Sequence, residues 1–188
     1  MRNVSDQEII DSVKKGNQAD FSVLIDRYKD RAFSLLKRML KNQFDAEEIL
    51  QDCFLKTYNA LNSFKGDSKF STWFYRIVYN TALTKLSSKK RKIETEMASI
   101  DEFIDLENDS FSVNAETENT SEIINEIINK LPEKYSAIIT MFYLNEMSCE
   151  EICEALNISV ANVKVMLYRS RNAMKDFIIK NNLVKELR

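Results

Sequence analysis

Residues 63–92, SFKGDSKFSTWFYRIVYNTALTKLSSKKRK, interleave aromatic rings with cations more densely than any other stretch of the chain. Rings stack on unpaired bases at ~1–3 kcal/mol each and cations track the phosphate backbone, so these residues offer recognition of single-stranded nucleic acid rather than bond making. At about 100° per residue, Thr72, Arg76, Asn80 and Ser87 fall in one stripe with Trp73 at its border. Phe70, Phe74 and Ile77, with Tyr75, Tyr79, Ala82 and Leu86, make most of the remaining circumference apolar. Taken singly, most of these rings belong in a core. The functional reading therefore rests on the stripe and on the loop from Phe64 to Ser68 around Gly66.

A second constellation lies at Ser148–Asp176. Ser148 and Glu151 have capping-box spacing, Asn157 suits a left-handed helix end, and Ser159 suits the next N-cap. This predicts two short-linked helices. On the second, Val160, Val163, Leu167, Ser170, Met174 and Ile178 share one face, while Ala161, Lys164, Val165, Tyr168, Arg169 and Asn172 share the other. Small and apolar residues among cations and amides suit a helix laid in a major groove. Apolar periodicity alone leaves both a DNA-reading helix-turn-helix and an ordinary helical hairpin open.

A third constellation is a face of a helix predicted to be capped by Asp45 and Glu48. Ala46, Leu50, Cys53, Phe54, Thr57 and Leu61 point inward, and Glu48, Gln51, Asp52, Leu55 and Asn59 point outward. An apolar Leu55 set among acids and amides resembles a protein-docking patch, although single exposed leucines are common.

Composition narrows the remaining classes. The chain has no His, which removes the most frequent general base and metal ligand. Cys149 and Cys153 stand one helical turn apart, but no His or further Cys completes a metal set, so half-buried core positions are the better reading. We expect no metal, no cofactor, no small-molecule substrate and no catalytic residue. Three cysteines and no signal peptide point to a reduced cytoplasmic setting, and no apolar run has membrane-spanning length.

The elements that position these residues are helical. Two Gly and one Pro in 188 residues disfavour a sheet-rich fold. Ser5 and Glu8 cap a first helix ending at Gly16; Phe21, Leu24, Ile25, Tyr28, Ala32, Leu35, Leu36 and Met39 set a long second one over about 18–41. The aromatic helix runs from about Lys69 past Leu86. Ser121 resumes the period through Ile123, Ile124, Ile127, Ile128 and Leu131, and Pro132 opens the next helix. Charge is segregated: 18 Lys and Arg stand against 11 Asp and Glu over 1–92, 1 against 11 over 93–130, and 8 against 7 over 131–188. We therefore expect an all-α chain of two small helical domains, 1–92 and 121–188, joined by an acidic linker, 93–120.

DAEEILQDCFLKTYNAL, FKGDSKFSTWFYRIVYNTA and LPEKYSAIITMFYLNEMSCEEICEALNISVANVKVMLYRSR, in that order and with an acidic linker before the third, resemble an extracytoplasmic-function sigma factor of the sigma-70 family. The resemblance spans nearly the whole chain. It implies a bacterial initiation subunit whose first domain is sigma region 2 and whose second is region 4. Glu48, Gln51, Asp52 and Leu55 would dock on the clamp coiled coil of the largest subunit of RNA polymerase core. Phe64, Lys65, Gly66, Lys69, Trp73, Arg76 and Asn80 would recognise and open the −10 element, with a flipped base held near the loop. Lys164, Val165, Tyr168 and Arg169 would read the −35 element, with Arg171 and Lys175 nearer the phosphates.

Many family members carry VKSRLxRAR where this chain has VKVMLYRSR, so Val165 and Met166 depart from a serine and an arginine. A thymine-methyl contact by Val165 is the expectation that follows. The resemblance also implies promoter DNA and an anti-sigma factor as partners, and a linker that mimics nucleic acid in a polymerase channel. The competing reading is a helix-turn-helix regulator that acts without polymerase.

Overall fold

The computed structural model describes residues 4–97, 120–181 and 183, with the side chains of 92–97 left aside. Eight α-helices and no strand occur among the described residues. They are α1 (Asp6–Lys14), α2 (Phe21–Leu40), α3 (Gln43–Ala60), α4 (Phe70–Met97), α5 (Thr120–Lys130), α6 (Glu133–Ile139), α7 (Cys149–Leu156) and α8 (Val160–Lys180). Short 3-10 turns at Gln18–Asp20 and Leu61–Ser63 and a π-helical turn at Thr140–Leu144 complete the described elements.

Local chemistry sets the helix ends. Ser5 and Ser148 both form reciprocal capping boxes with the glutamate three residues on, Glu8 and Glu151. Asn157, at φ 54°, closes α7 in the left-handed region, and the Ser159 hydroxyl accepts from the Asn162 amide to start α8. One cap lies elsewhere than expected. The Asn42 side chain, not Asp45 or Glu48, caps α3 by accepting from the Asp45 amide at 2.9 Å. The helix thus begins at Gln43 and carries Phe44 on its first turn.

In the N-terminal half, α2, α3 and α4 pack together around Leu24, Leu35, Met39, Cys53, Phe54, Phe74 and Val78, with α1 closing one end. Leu50, expected to point inward, is only partly buried, and Ile49 beside it is buried. In the C-terminal half, α6, the π-helical turn and α7 cover α8 through Ile138, Ile139, Met141, Ile152, Val163 and Leu167.

The two halves are not spaced apart. α6 lies on α2 and α7 lies on α4, so a single apolar cluster runs through both. Polar groups fasten the same seam. Arg38 Nη2 donates to Asn125 Oδ1 at 2.7 Å. Lys41 Nζ donates to the Leu131 carbonyl at 2.9 Å and also to that of Asn129, satisfying carbonyls orphaned at the end of α5. This packing explains why α4 is apolar over most of its circumference, since it is covered from several sides. The acidic stretch over 93–120 falls, apart from the end of α4 and Thr120, outside the described residues, and with it the expected channel mimicry.

Candidate nucleic-acid and protein-docking surfaces

The stripe on α4 is present as a surface feature, and its members differ in access. Arg76 and Asn80 are exposed, Trp73 is half-buried, and Thr72 is covered, at 3%. Lys65, Gly66 and Lys69 are exposed in the preceding loop, where Gly66 takes φ 81°, a conformation that favours glycine. Phe64 departs from expectation. It is buried against Phe70 and Trp73, with ring centroids at 5.9 and 5.1 Å, and its carbonyl accepts from Lys14 Nζ at 2.7 Å. A ring so placed braces the loop and the inner side of Trp73 and presents no face to a base.

The cationic end of α4 is also partly spoken for. Lys85 Nζ lies 2.7 Å from Glu48 Oε2 and 3.3 Å from Asp45, and Lys89 lies 3.5 Å from Asp45. The hydrogen bond to Glu48 leads the causes that raise the Lys85 pKa. These pairs hold α3 against α4 and fix the direction of the α3 outer face.

On that face Glu48, Gln51 and Asp52 are exposed, and Leu55 stands out at 62%. Phe44, at 81%, extends the same face one turn before Glu48 and three turns before Leu55. The sequence reading passed over Phe44 because it placed the helix start beyond it. Recognition of Asn42 as the cap would have put Phe44 on the wheel.

On α8, Lys164, Val165, Tyr168, Arg169, Arg171 and Lys175 are all exposed, while Val163, Leu167 and Ser170 are buried. Arg171 is held in place, however. Its Nε donates to Tyr143 Oη at 2.8 Å and its guanidinium lies over the Phe142 and Tyr143 rings. Beside it, Ile124, Ile139, Tyr143, Leu144, Met174 and Ile178 line an apolar groove of about 680 Å³. Sequence reading missed this groove because its walls come from separate helices.

Cys149 and Cys153 are free and half-buried, and no cluster of three or more His, Cys, Asp or Glu able to hold a metal occurs among the described residues. No described helix is long and apolar enough to cross a membrane.

Comparison with known proteins follows the same division of the chain. Residues 24–92 match the family model for sigma-70 region 2, and residues 121–174 match that for sigma-70 region 4. The ECF RNA polymerase sigma factor SigW of Bacillus subtilis is 36% identical over 176 residues, covering 88% of this chain and 92% of the relative. The ECF RNA polymerase sigma-E factor of Escherichia coli K12 is 33% identical over 183 residues, covering 91% and 93%.

Two solved structures share the fold. CnrH, in complex with the cytosolic domain of CnrY, aligns with a TM-score of 0.67 at 20% identity over 93% of this chain and 97% of that one. The sigma factor RpoE from Bartonella quintana, in complex with the anti-sigma factor NepR, aligns at 0.66 and 16% over 85% and 96%. With both regions matched in order and relatives above 30% identity along most of its length, the chain belongs to the ECF RNA polymerase sigma factors.

Proposed function

We propose that this chain directs promoter-specific initiation by bacterial RNA polymerase through three surfaces, one for the core enzyme and two for DNA. The observation that carries this reading is the exposed α3 face. Glu48, Gln51, Asp52 and Leu55 lie on one side of a helix whose other side is core, and Leu55 is 62% exposed there. A DNA-binding regulator acting alone has no use for such a face, whereas an initiation subunit needs one to dock on the clamp coiled coil. Residues 1–92 then form the docking and −10 domain, 93–120 the linker and 121–188 the −35 domain, a division that the two matched regions support.

The DNA steps follow from the side chains. The outer face of α8 enters the major groove of the −35 element, with Lys164, Val165, Tyr168 and Arg169 toward base edges and Arg171 and Lys175 nearer the phosphates. The Lys65–Gly66 loop, Lys69, Trp73, Arg76 and Asn80 take the non-template strand as the −10 duplex opens, trading base pairing for stacking and amide contacts. Phe64 supports Trp73 from behind.

The chain makes no covalent bond itself, needs neither metal nor cofactor, and works in the cytoplasm. The apolar groove beside Arg171 offers a second protein-docking seat, for core polymerase or an anti-sigma factor. Transcription of a fragmented bacterial genomic library by core polymerase tests the reading. Adding this chain should produce RNAs with a shared upstream sequence; an unchanged transcript population would contradict it.

A further inference from the structure

The loop assigned to the −10 strand is held by a helix that lies outside the matched region. Residues 24–92 match region 2, whereas α1 spans Asp6–Lys14. Lys14, in the last turn of α1, donates from Nζ to the Phe64 carbonyl at 2.7 Å and lies 6.0 Å from the centre of the Phe64 ring. Two turns earlier on the same face, Gln7 Nε2 donates to Asp11 Oδ1 at 2.8 Å, and Gln7 Oε1 lies 3.7 Å from where a Cβ on Gly66 would stand. Helix α1 thus touches the loop on either side of Lys65.

The helix is itself anchored. Ile9, Ile10 and Val13 are buried in the core. Asp6 pairs with Arg27 and accepts from the Tyr28 hydroxyl, and Arg27 Nη2 donates to the Val4 carbonyl at 2.9 Å. The Tyr28 ring meets Phe70, at the start of α4, with centroids 5.4 Å apart, and Phe70 meets Phe64 at 5.9 Å. A closed circuit of contacts therefore runs from Lys14 through Phe64, Phe70, Tyr28 and Asp6 and back along α1. It fixes the base of the loop.

Fixing that base has a direction. Phe64 leaves the 3-10 turn at φ −68° and ψ 114°, and Gly66 turns the chain at φ 81°. A trans peptide is planar, with its N–H opposite its carbonyl. A Phe64 carbonyl held toward Lys14 therefore aims the Lys65 N–H away from α1 and sets the course on which Lys65 and Gly66 continue. We infer that Lys14 is a positioning residue for −10 recognition. It touches no nucleotide, and it holds the Lys65–Gly66 loop in the shape that receives an unstacked base, so that less ordering is left to binding. This role rests on the assignment of that loop to −10 DNA.

The test uses holoenzyme formed from the full chain and core polymerase. Its probes are single-stranded non-template oligonucleotides across the −10 element of a promoter from the genomic-library transcripts, with an abasic site at each position in turn. Wild-type holoenzyme should lose at least about tenfold in affinity at the position whose base the loop holds. Lys14→Met keeps the stem and removes the donor, and because Lys14 is exposed the substitution spares the core. This variant should bind the intact strand at least about fivefold more weakly, lose no more than about twofold at that same abasic position, and keep the wild-type ratios at the others. Lys14→Arg, which retains a donor, should restore the wild-type profile. General weakening of the domain would instead lower binding to every oligonucleotide by one common factor. That result, or wild-type affinities in Lys14→Met, would overturn the proposal. A flat abasic profile in the wild type would strike the loop assignment itself, and the role of Lys14 with it.

Discussion

Lys69 Nζ and Glu151 Oε1 lie 2.7 Å apart, and they join the loop that leads into α4 to the first turn of α7. Glu151 serves two masters, because its carboxylate also accepts from the Ser148 backbone amide at 2.8 Å as the N3 partner of the capping box. Partial burial works to raise its pKa, but the hydrogen bond from Lys69 and those from Ser148 outweigh it, and the net shift is downward.

A depressed carboxyl pKa gives the direction of a pH effect. The folded, closed form binds this proton less readily than the open or unfolded chain, so its contribution is full above the ordinary glutamate pKa of about 4.3 and is lost as pH falls through the depressed value. Small-angle scattering of the free chain from pH 6 to 3 should show expansion at the acid end. Glu151→Gln should already be more expanded at pH 6 and should lose this component of the titration.

Leu55→Asp should weaken core binding by at least about tenfold, or ~1.4 kcal/mol, because it places a charge where an apolar anchor is desolvated. As the residue is exposed, stability should change by no more than about 0.5 kcal/mol. Phe44→Ala should weaken the same complex by a smaller factor, since Phe44 continues the face toward the start of α3. Fluorescence titration with core and thermal melts of the free variants check both. Unaltered core affinity in Leu55→Asp would remove the α3 face from the account.

Asn80→Ala should leave −35 engagement intact and impair opening, because Asn80 is exposed on the stripe and packs against nothing that the core needs. Transcription from a duplex promoter should fall, and a template premelted across the −10 element should restore most of it. An equal defect on both templates would mean that Asn80 does not act in opening.

Lys175→Ala should weaken DNA binding uniformly across promoter sequences and lower the salt slope of holoenzyme binding by about one. Val165→Ala should behave differently, reducing the preference for thymine at one −35 position while leaving the salt slope unchanged. Binding measured over a set of −35 variants at several salt concentrations separates the two effects.

Legibility in the sequence tracked the range of the interactions. Ser5 with Glu8, Ser148 with Glu151, Asn157, Ser159 and Pro132 all act within a few residues of themselves, and each sits where its residue type implies. The α8 faces were legible for the same reason, since a regular period sorts Val163 and Leu167 from Lys164 and Tyr168. The start of α3 was obscured because Asn42, Asp45 and Glu48 all offer capping side chains, and only the bond from Asn42 to the Asp45 amide decides among them.

Phe64 and the seam between halves depend on partners far along the chain. Lys14 holds the Phe64 carbonyl from 50 residues away, and Arg38 reaches Asn125 across 87. The charge split pointed to two modules and a tether, and nothing local in α7 announces that it covers Thr72. The one trace was the apolar circumference of α4, too broad for a helix with a single buried side.

Where and when the duplex opens is the central step of initiation by this chain. Permanganate footprinting of a promoter taken from the genomic-library transcripts, with free chain, core polymerase and their mixture side by side, measures this. Reactive thymines across the −10 element should appear only in the mixture and should fade with Asn80→Ala. No reactive thymines in any lane, with the free chain alone retarding the same promoter fragment in a gel as strongly as the mixture does, would contradict it and favour a regulator that works without polymerase.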